Sequence, residues 1–324
     1  MSPRRLAMAA LLAPVALVQT AAAQRPPDAV VFETLQIRSN VFVIFGAGGN
    51  ITVHVGEDGV VLVDTGSASH ADKALAAVRR ISNRPVRYII NTSADEDHVG
   101  GNETLARAGA SLMEDTFADD PRAAVLSHEN VLLRLSTATG PAAVPSGAWP
   151  SETFTSRYRS LYVNDDPVQI IRQLGAHSDG DAIVHFRRAD VIATGDVLDL
   201  RHFPVIDPAR GGSIQGELDA LNRLLDLVVP AMPLVLKTHR TLVVPGHGRV
   251  SDYTEIVEYR DMLTVIRNIV DDMVKQGMTL EQVNKANPTA GYRARYGRDS
   301  GAWTTDMFVD AVYNGLKTPS AGKS

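Results

Sequence analysis

Apolar positions along the chain alternate between two periods. Short β-branched and aromatic runs occur at 41–45, 51–55 and 60–63, separated by Gly46-Ala47-Gly48-Gly49-Asn50 and Glu57-Asp58-Gly59. Such runs bounded by turn residues predict three strands joined as hairpins. Residues 69–81 instead carry Leu75, Val78 and Ile81 at helical spacing, and Pro85 ends the pattern. A buried strand at 86–91, a helix at 101–108 and a short strand at 110–113 are expected next. Residues 115–165 hold no period for long. Pro141, Pro145, Gly147, Trp149 and Pro150 interrupt them, so an irregular segment is expected. Strands return at 168–174, 182–186 and 191–194, followed by a helix at 216–229 and a strand at 241–244. Beyond that the pattern is helical. Asp252 with Glu255 spells a capping box, and Ile256, Tyr259, Leu263, Ile266 and Val270 share one face. Gly277 ends that helix, Thr279 with Gln282 opens a short one, and 304–316 forms the last. No internal repeat is visible. The order predicts an α/β protein with two β-rich halves face to face and helices outside.

Composition narrows the classes. The 324 residues are 44% hydrophobic, enough for a full core, and contain no cysteine, which excludes disulfides, thiolate catalysis and Cys-ligated metal. A net charge of -5 argues against a nucleic-acid-binding face. Arg4 and Arg5 precede an apolar run over 6–18 and then Ala21-Ala22-Ala23-Gln24. This is the layout of a cleavable signal peptide, 1–23, followed by a tether, 24–34. A periplasmic or secreted protein is expected, with no stable membrane span once the leader is removed.

Four segments concentrate imidazole and carboxylate directly after apolar strands. They are Ser93-Ala94-Asp95-Glu96-Asp97-His98, His177-Ser178-Asp179-Gly180-Asp181, Gly195-Asp196 and Pro245-Gly246-His247-Gly248. Singly, each reads as a structural histidine or a solvated turn. Together, at successive strand ends, they point to one shared metal site.

The stretch 91–102, Asn-Thr-Ser-Ala-Asp-Glu-Asp-His-Val-Gly-Gly-Asn, resembles the His-x-His-x-Asp-His segment of the metallo-β-lactamase-fold hydrolases. The segments at His177, Asp196 and His247 resemble that family's later metal-binding loops, and Val61-Leu62-Val63-Asp64-Thr65-Gly66 its early strand. The resemblance implies a four-layer αββα sandwich over 35–250, with a helical C-terminal extension over 251–318 packed on it. It implies Asp97, His98 and His247 as ligands of one metal and Asp196 as shared. His177, Asp196 and Asp95 are left for a second metal, and Asp64 supports the site from behind. The chain departs from the family where Ser93 and Asp95 replace two histidines. Three arrangements are compatible: one ion on Asp97, His98, Asp196 and His247; an unequal pair using Asp95; or loss of the metal. Ser93 is a poor ligand and is expected to hydrogen-bond a bound water. Asp95 places a third carboxylate beside Asp97 and Asp196, which repel one another without metal. It also raises the pKa of a bound water above the roughly 7 of a three-His zinc site. Oxygen-rich ligation widens the choice from Zn²⁺ to Mn²⁺ or Fe²⁺.

The implied activity is hydrolysis of an ester, lactone, thioester or amide of a small molecule, including a β-lactam, with Asp97 and His177 moving protons. The alternative is an iron-dependent oxidoreductase or a degenerate ligand-binding member. Arg201, His202 and Arg210 either line the cleft and bind an anionic group or form a solvated loop. The aromatics Trp149, Phe154, Tyr158 and Tyr162 either cover the site or pack on the domain. His54 and His185 read as core or outer-face residues, and His70, His128 and His239 as surface ones. Substrate and oligomeric state are not legible.

Overall fold

The computed structural model describes residues 31–112, 121–231 and 240–317. The expected leader, most of the tether, Met113 and His239 lie outside the described residues.

The first sheet takes its strands in chain order: β1 (Glu33–Arg38), β2 (Val41–Phe45), β3 (Ile51–Val55), β4 (Val60–Val63), β5 (Val86–Ile90), β6 (Ala124–His128) and β7 (Glu152–Phe154). β1 to β4 are antiparallel hairpins. From β4 onward the strands are parallel, and parallel neighbours need crossovers. Helix α1 (Ala71–Ile81) makes the first. Helices α2 (Glu96–Val99) and α3 (Asn102–Arg107) make the second, and α4 (Glu129–Thr137) the third. The second sheet has the order β12-β11-β10-β9-β8, built from β8 (Tyr158–Val163), β9 (Asp166–Arg172), β10 (Ala182–Phe186), β11 (Val191–Asp199) and β12 (Leu242–His247). Helix α5 (Ile214–Leu227) crosses between the parallel pair β11 and β12. Four helices follow: α6 (Tyr253–Lys275), α7 (Leu280–Ala286), α8 (Arg293–Tyr296) and α9 (Thr305–Lys317). No helix among the described residues is long and apolar enough to cross a membrane.

Period-two patterning assigns the layers. Val61 and Val63 of β4 face inward with Ile170, Val184 and Ala193 of the second sheet, forming the core between the sheets. Val60 and Leu62 face outward onto Ala74, Ala77 and Val78 of α1 and Leu105 of α3. On the opposite side, Ile171, Ile183 and Ile192 pack against Leu221 of α5, Tyr259 and Leu263 of α6 and Phe308 of α9. The fold is therefore a four-layer αββα sandwich whose C-terminal helices share the outer core of the second sheet.

Several expectations are corrected. The 115–165 stretch is not irregular: it holds β6, α4, β7 and β8. β6, Ala-Val-Leu-Ser-His, is a buried parallel strand too short to show a period. Residues 110–112 are not strand. On α1 Ala71, Ala74, Ala77 and Val78, not Leu75 and Ile81, form the fully buried face, because close approach to the sheet favours small side chains. Glu255 does not complete a capping box with Asp252 but pairs with Arg249. His128 is not a surface residue: it is 2% exposed, and its Nδ1 accepts from the Asn130 N–H to cap α4. β1 begins at Glu33, inside the stretch read as tether.

Candidate metal centre

The loop after β5 carries the first cluster. Asn91 and Asn102 exchange side-chain amide hydrogen bonds of 2.9 and 3.0 Å, which closes the loop on itself. Helix α2 opens at Asp95, whose side chain does not cap it and is free to turn toward the second sheet. Ser93 is buried, and its Oγ accepts the Asp95 N–H at 3.3 Å, within the same loop. Beneath lies the hairpin at Gly46–Asn50. A Cβ on Gly49 would sit 2.8 Å from the Asp97 carbonyl oxygen and 3.1 Å from the His98 ring, so only glycine permits this approach. Asn50 then reaches across to the second sheet, donating to the Pro245 and Gly248 carbonyls at 2.8 and 2.9 Å and fixing the His247 loop.

The structure brings Asp95, Asp97, His98, His177, Asp196 and His247 together as two groups, Asp97–His98–His247 and Asp95–His177–Asp196. Asp196 faces both. Its Oδ1 lies 3.1 Å from His98 Nε2 and 3.4 Å from His247 Nε2, and its Oδ2 lies 3.9 Å from His177 Nε2. His247 Nε2 is 3.1 Å from Asp97 Oδ2. Ligands around a tetrahedral ion with bonds of about 2.0–2.2 Å stand roughly 3.3–3.6 Å apart, so these spacings suit a cation.

His98 supplies the test of fit. Asp64, buried at the end of β4 with an unusual positive φ of 62°, accepts from His98 Nδ1 at 2.7 Å and from Thr92 N and Oγ1 at 2.8 and 2.6 Å. A carboxylate only accepts, so Nδ1 carries a proton, and whenever the ring is neutral its Nε2 lone pair faces inward. That Nε2 is buried and has no hydrogen-bond partner. A buried imidazole nitrogen placed so among Asp97, Asp196 and His247 suits a divalent cation.

The second group differs. His177 Nδ1 donates to the Val205 carbonyl at 2.8 Å, while Nε2 bonds Asp95 Oδ2 at 2.5 Å. Burial favours a neutral His177, but the Asp95 bond and the charges of Asp196 and Asp181 hold it protonated well above its usual range. Burial likewise opposes charge on His98, and Asp196 and Asp64 overcome it. Burial would raise Asp196, yet the surrounding His98, His177 and His247 hold it ionised far below the carboxylate range. Asp95 carries a further partner: Arg210 donates to its Oδ1 at 2.5 Å. The expected mutual repulsion of the carboxylates is present, since Asp196 opposes the ionisation of both Asp95 and Asp97, but the histidines and Arg210 outweigh it. Arg210, which also pairs with Asp207 at 3.0 Å, offsets part of the negative charge that Asp95 brings in place of an imidazole.

Both groups open onto a cleft of about 540 Å³. Arg201, His202 and Arg210 line it, with Arg201 and His202 held by Asp199 at 3.5 and 3.2 Å. Trp149, Phe154, Tyr158 and Tyr162 do not line it. Phe154 is core, Trp149 packs on Val131 and Leu135, and the two tyrosines are exposed. Sequence reasoning missed Arg298 and Trp303, which form the far wall from the segment between α8 and α9. No motif marks them. It also missed Glu217, fully buried with both carboxylate oxygens unpartnered and its pKa pushed well up by burial. An acid in a helix's first turn ordinarily faces water. Here Gly216 lets α5 press onto the Gly175 carbonyl, where a Cβ would stand 1.8 Å away, and draws Glu217 inside. Asp181 is buried beside it, its pKa raised by burial to about 6.

Residues 45–110 match the sequence model of the Metallo-beta-lactamase superfamily. Among solved structures the chain is similar to a metallo-beta-lactamase from Pontibacter korlensis, at 18% identity and TM-score 0.55 over 72% of this chain and 99% of that one. It is also similar to DIM-1 metallo-beta-lactamase, at 13% identity and TM-score 0.54 over 72% of this chain and 97% of that one. A third similar structure is the stereoselective inverting sec-alkylsulfatase Pisa1 from Pseudomonas sp., at 16% identity and TM-score 0.59 over 88% of this chain. The match spans half of the alkylsulfatase's length. No curated protein matches. By fold the chain resembles the metallo-β-lactamases, and over residues 45–110 its sequence matches that superfamily's model.

Proposed function

We propose that the protein is a metal-dependent hydrolase acting on the acyl bond of an ester, lactone, thioester or amide, β-lactams included. The observation that carries this reading is the buried, unpartnered His98 Nε2 facing Asp97, Asp196 and His247. Asp97, His98 and His247 would hold one divalent cation, and His177, Asp196 and Asp95 a second. Zn²⁺ suits the imidazoles, and Mn²⁺ or Fe²⁺ the carboxylates. Such a cation lowers the pKa of a bound water and polarises the scissile carbonyl. The chain's own part begins with Asp97, a third exposed toward the cleft, which orients the attacking water and accepts its proton. Its pKa is held low against burial by the His247 bond and the His98 charge, so it is ionised at neutral pH. With only the first cation bound, His177 would instead be a free imidazole able to pass a proton to the leaving atom once its Asp95 bond opens. The leader-like pattern at 1–23 supports action outside the cytoplasm.

The test is metal analysis of protein purified without chelator, with turnover measured on a panel of acyl esters, lactones, β-lactams and a secondary alkyl sulfate. One or two ions per chain are expected. His98→Ala should lose at least one ion, and Asp97→Asn should lower acyl turnover by about 10²–10⁴-fold. Undiminished turnover in Asp97→Asn, or iron with oxygen-dependent activity alone, would overturn the proposal. Hydrolysis confined to the sulfate would move the substrate class.

A further inference from the structure

Besides the metal groups, the cleft is lined by an apolar set, Val205, Ile206, Pro208, Ala302 and Trp303, and by three arginines, Arg201, Arg210 and Arg298. Two of the arginines are already engaged. Arg201 pairs with Asp199 at 3.5 Å, and Arg210 with Asp95 and Asp207 at 2.5 and 3.0 Å. Arg298 is exposed, and among the described residues no carboxylate stands within ion-pair distance of its guanidinium. The acids that follow it in the chain are taken elsewhere: Asp299 and Asp306 both pair with Arg293, at 2.5 and 4.0 Å. The backbone that presents Arg298 is held in place. Buried Thr305 accepts from the Arg298 N–H at 2.8 Å, and its own N–H and hydroxyl donate to the Arg298 carbonyl at 2.8 and 3.0 Å. Trp303 packs on the outer core of the second sheet, and the Phe203 N–H donates to the Tyr296 carbonyl at 3.1 Å, tying the loop after β11 to α8. A guanidinium fixed at a cleft wall with no internal counter-ion attracts anions, and its planar fork matches a carboxylate.

We propose that Arg298 anchors a carboxylate on the substrate, so that the protein selects acyl compounds carrying an anionic group apart from the scissile bond. The apolar lining suits the body of such a molecule, and the metal groups its reacting end. Arg201 and Arg210 are poorer anchors, because each must first give up an acid of the protein itself, whereas Arg298 gives up only water. The substrate class thereby narrows to esters, lactones, thioesters or amides with a free carboxylate. The proposal rests on the hydrolase reading for the reacting end alone; the anion site stands without it. Because Arg298 is exposed to screening solvent, the preference for a carboxylate over a neutral group of the same shape should be moderate, about tenfold.

The experiment is isothermal titration of the full chain, stripped of metal by chelator, with phenylacetate and its neutral isostere phenylacetamide. Phenylacetate should bind about tenfold more tightly. Arg298→Gln should abolish that preference and Arg298→Glu should reverse it, with circular dichroism reporting their folding. Equal or absent binding of the two probes by the unaltered protein overturns the anchor whatever the variants do. So does a carboxylate preference that persists in folded Arg298→Gln, which would put the anion at Arg201 or at the histidines of the metal groups. With metal restored, the p-nitrophenyl monoester of adipate should be preferred over that of its terminal amide, and Arg298→Gln should erode the preference through KM rather than kcat. Carboxylate-selective binding without turnover of any acyl substrate would remove the hydrolase reading and leave the anchor. Acyl turnover with no carboxylate preference at either stage would do the reverse.

Discussion

The two ligand groups share Asp196 and differ in how ready they are for a cation. In the Asp97–His98–His247 group, Asp64 occupies the outer nitrogen of His98 and leaves the inner one without a hydrogen-bond partner. In the Asp95–His177–Asp196 group, the inner nitrogen of His177 already bonds Asp95, and Arg210 offsets part of that carboxylate's charge. A cation entering the first group displaces only the proton that Asp196 and Asp64 hold on His98. One entering the second must displace a proton and part an existing ion pair. The lesson is that ligand identity alone does not set affinity: the partner on the far side of each ligand decides which lone pairs are free.

This contrast can be broken at either group. The largest effect is expected at the first, in Asp64→Asn. An amide no longer enforces the His98 tautomer, and divalent-ion affinity should fall about 10–100-fold by competition with a chromophoric chelator. Loss of only the weaker of two ions would reverse the assignment. A smaller effect, of opposite sign, is expected at the second group in Arg210→Gln. Removing a cation from Asp95 should strengthen the weaker ion's binding about fivefold, modest because Arg210 is two-fifths exposed to screening solvent. Weaker binding would mean that Arg210 orients Asp95 rather than neutralising it.

The smallest effect is on pH dependence without metal. His98 and His177 keep their protons to higher pH folded than unfolded. Their contribution is therefore whole below about 6.5 and is lost as pH rises through the folded values. In chelator, melting temperature should fall as pH rises from about 6.5 toward about 9. Metal affinity should rise over the same range, because ligand imidazoles must shed protons to bind. A flat melting profile would show that neither histidine is held protonated.

How much was legible follows what each signal depends on. Hairpins β2 to β4 could be read residue by residue, because a two-residue period and glycine turns are local facts. So could the buried face of α6 and the Thr279–Gln282 capping box, which is present. β6 and α4 were not legible. A strand covered on both faces by its neighbours needs no pattern of its own, and Ala124–His128 is too short to show one. His128 looked like a surface residue for the same reason.

The sequence by itself determined which chemical groups stand at the strand ends: Asp95, Asp97 and His98 after β5, Asp196 on β11, His247 closing β12. It determined that two histidines of the related pattern are replaced. Only the tertiary structure decided what those replacements mean. Arg210 lies 115 residues from Asp95 along the chain, and no spacing rule connects them. The same holds for the cleft wall at Arg298 and Trp303 and for the buried Glu217. Periodicity and motif record neighbours within a few residues. Charge compensation, tautomer and cavity shape depend on which distant segments packing brings within a few ångströms, and that is set only once the two sheets have closed on each other.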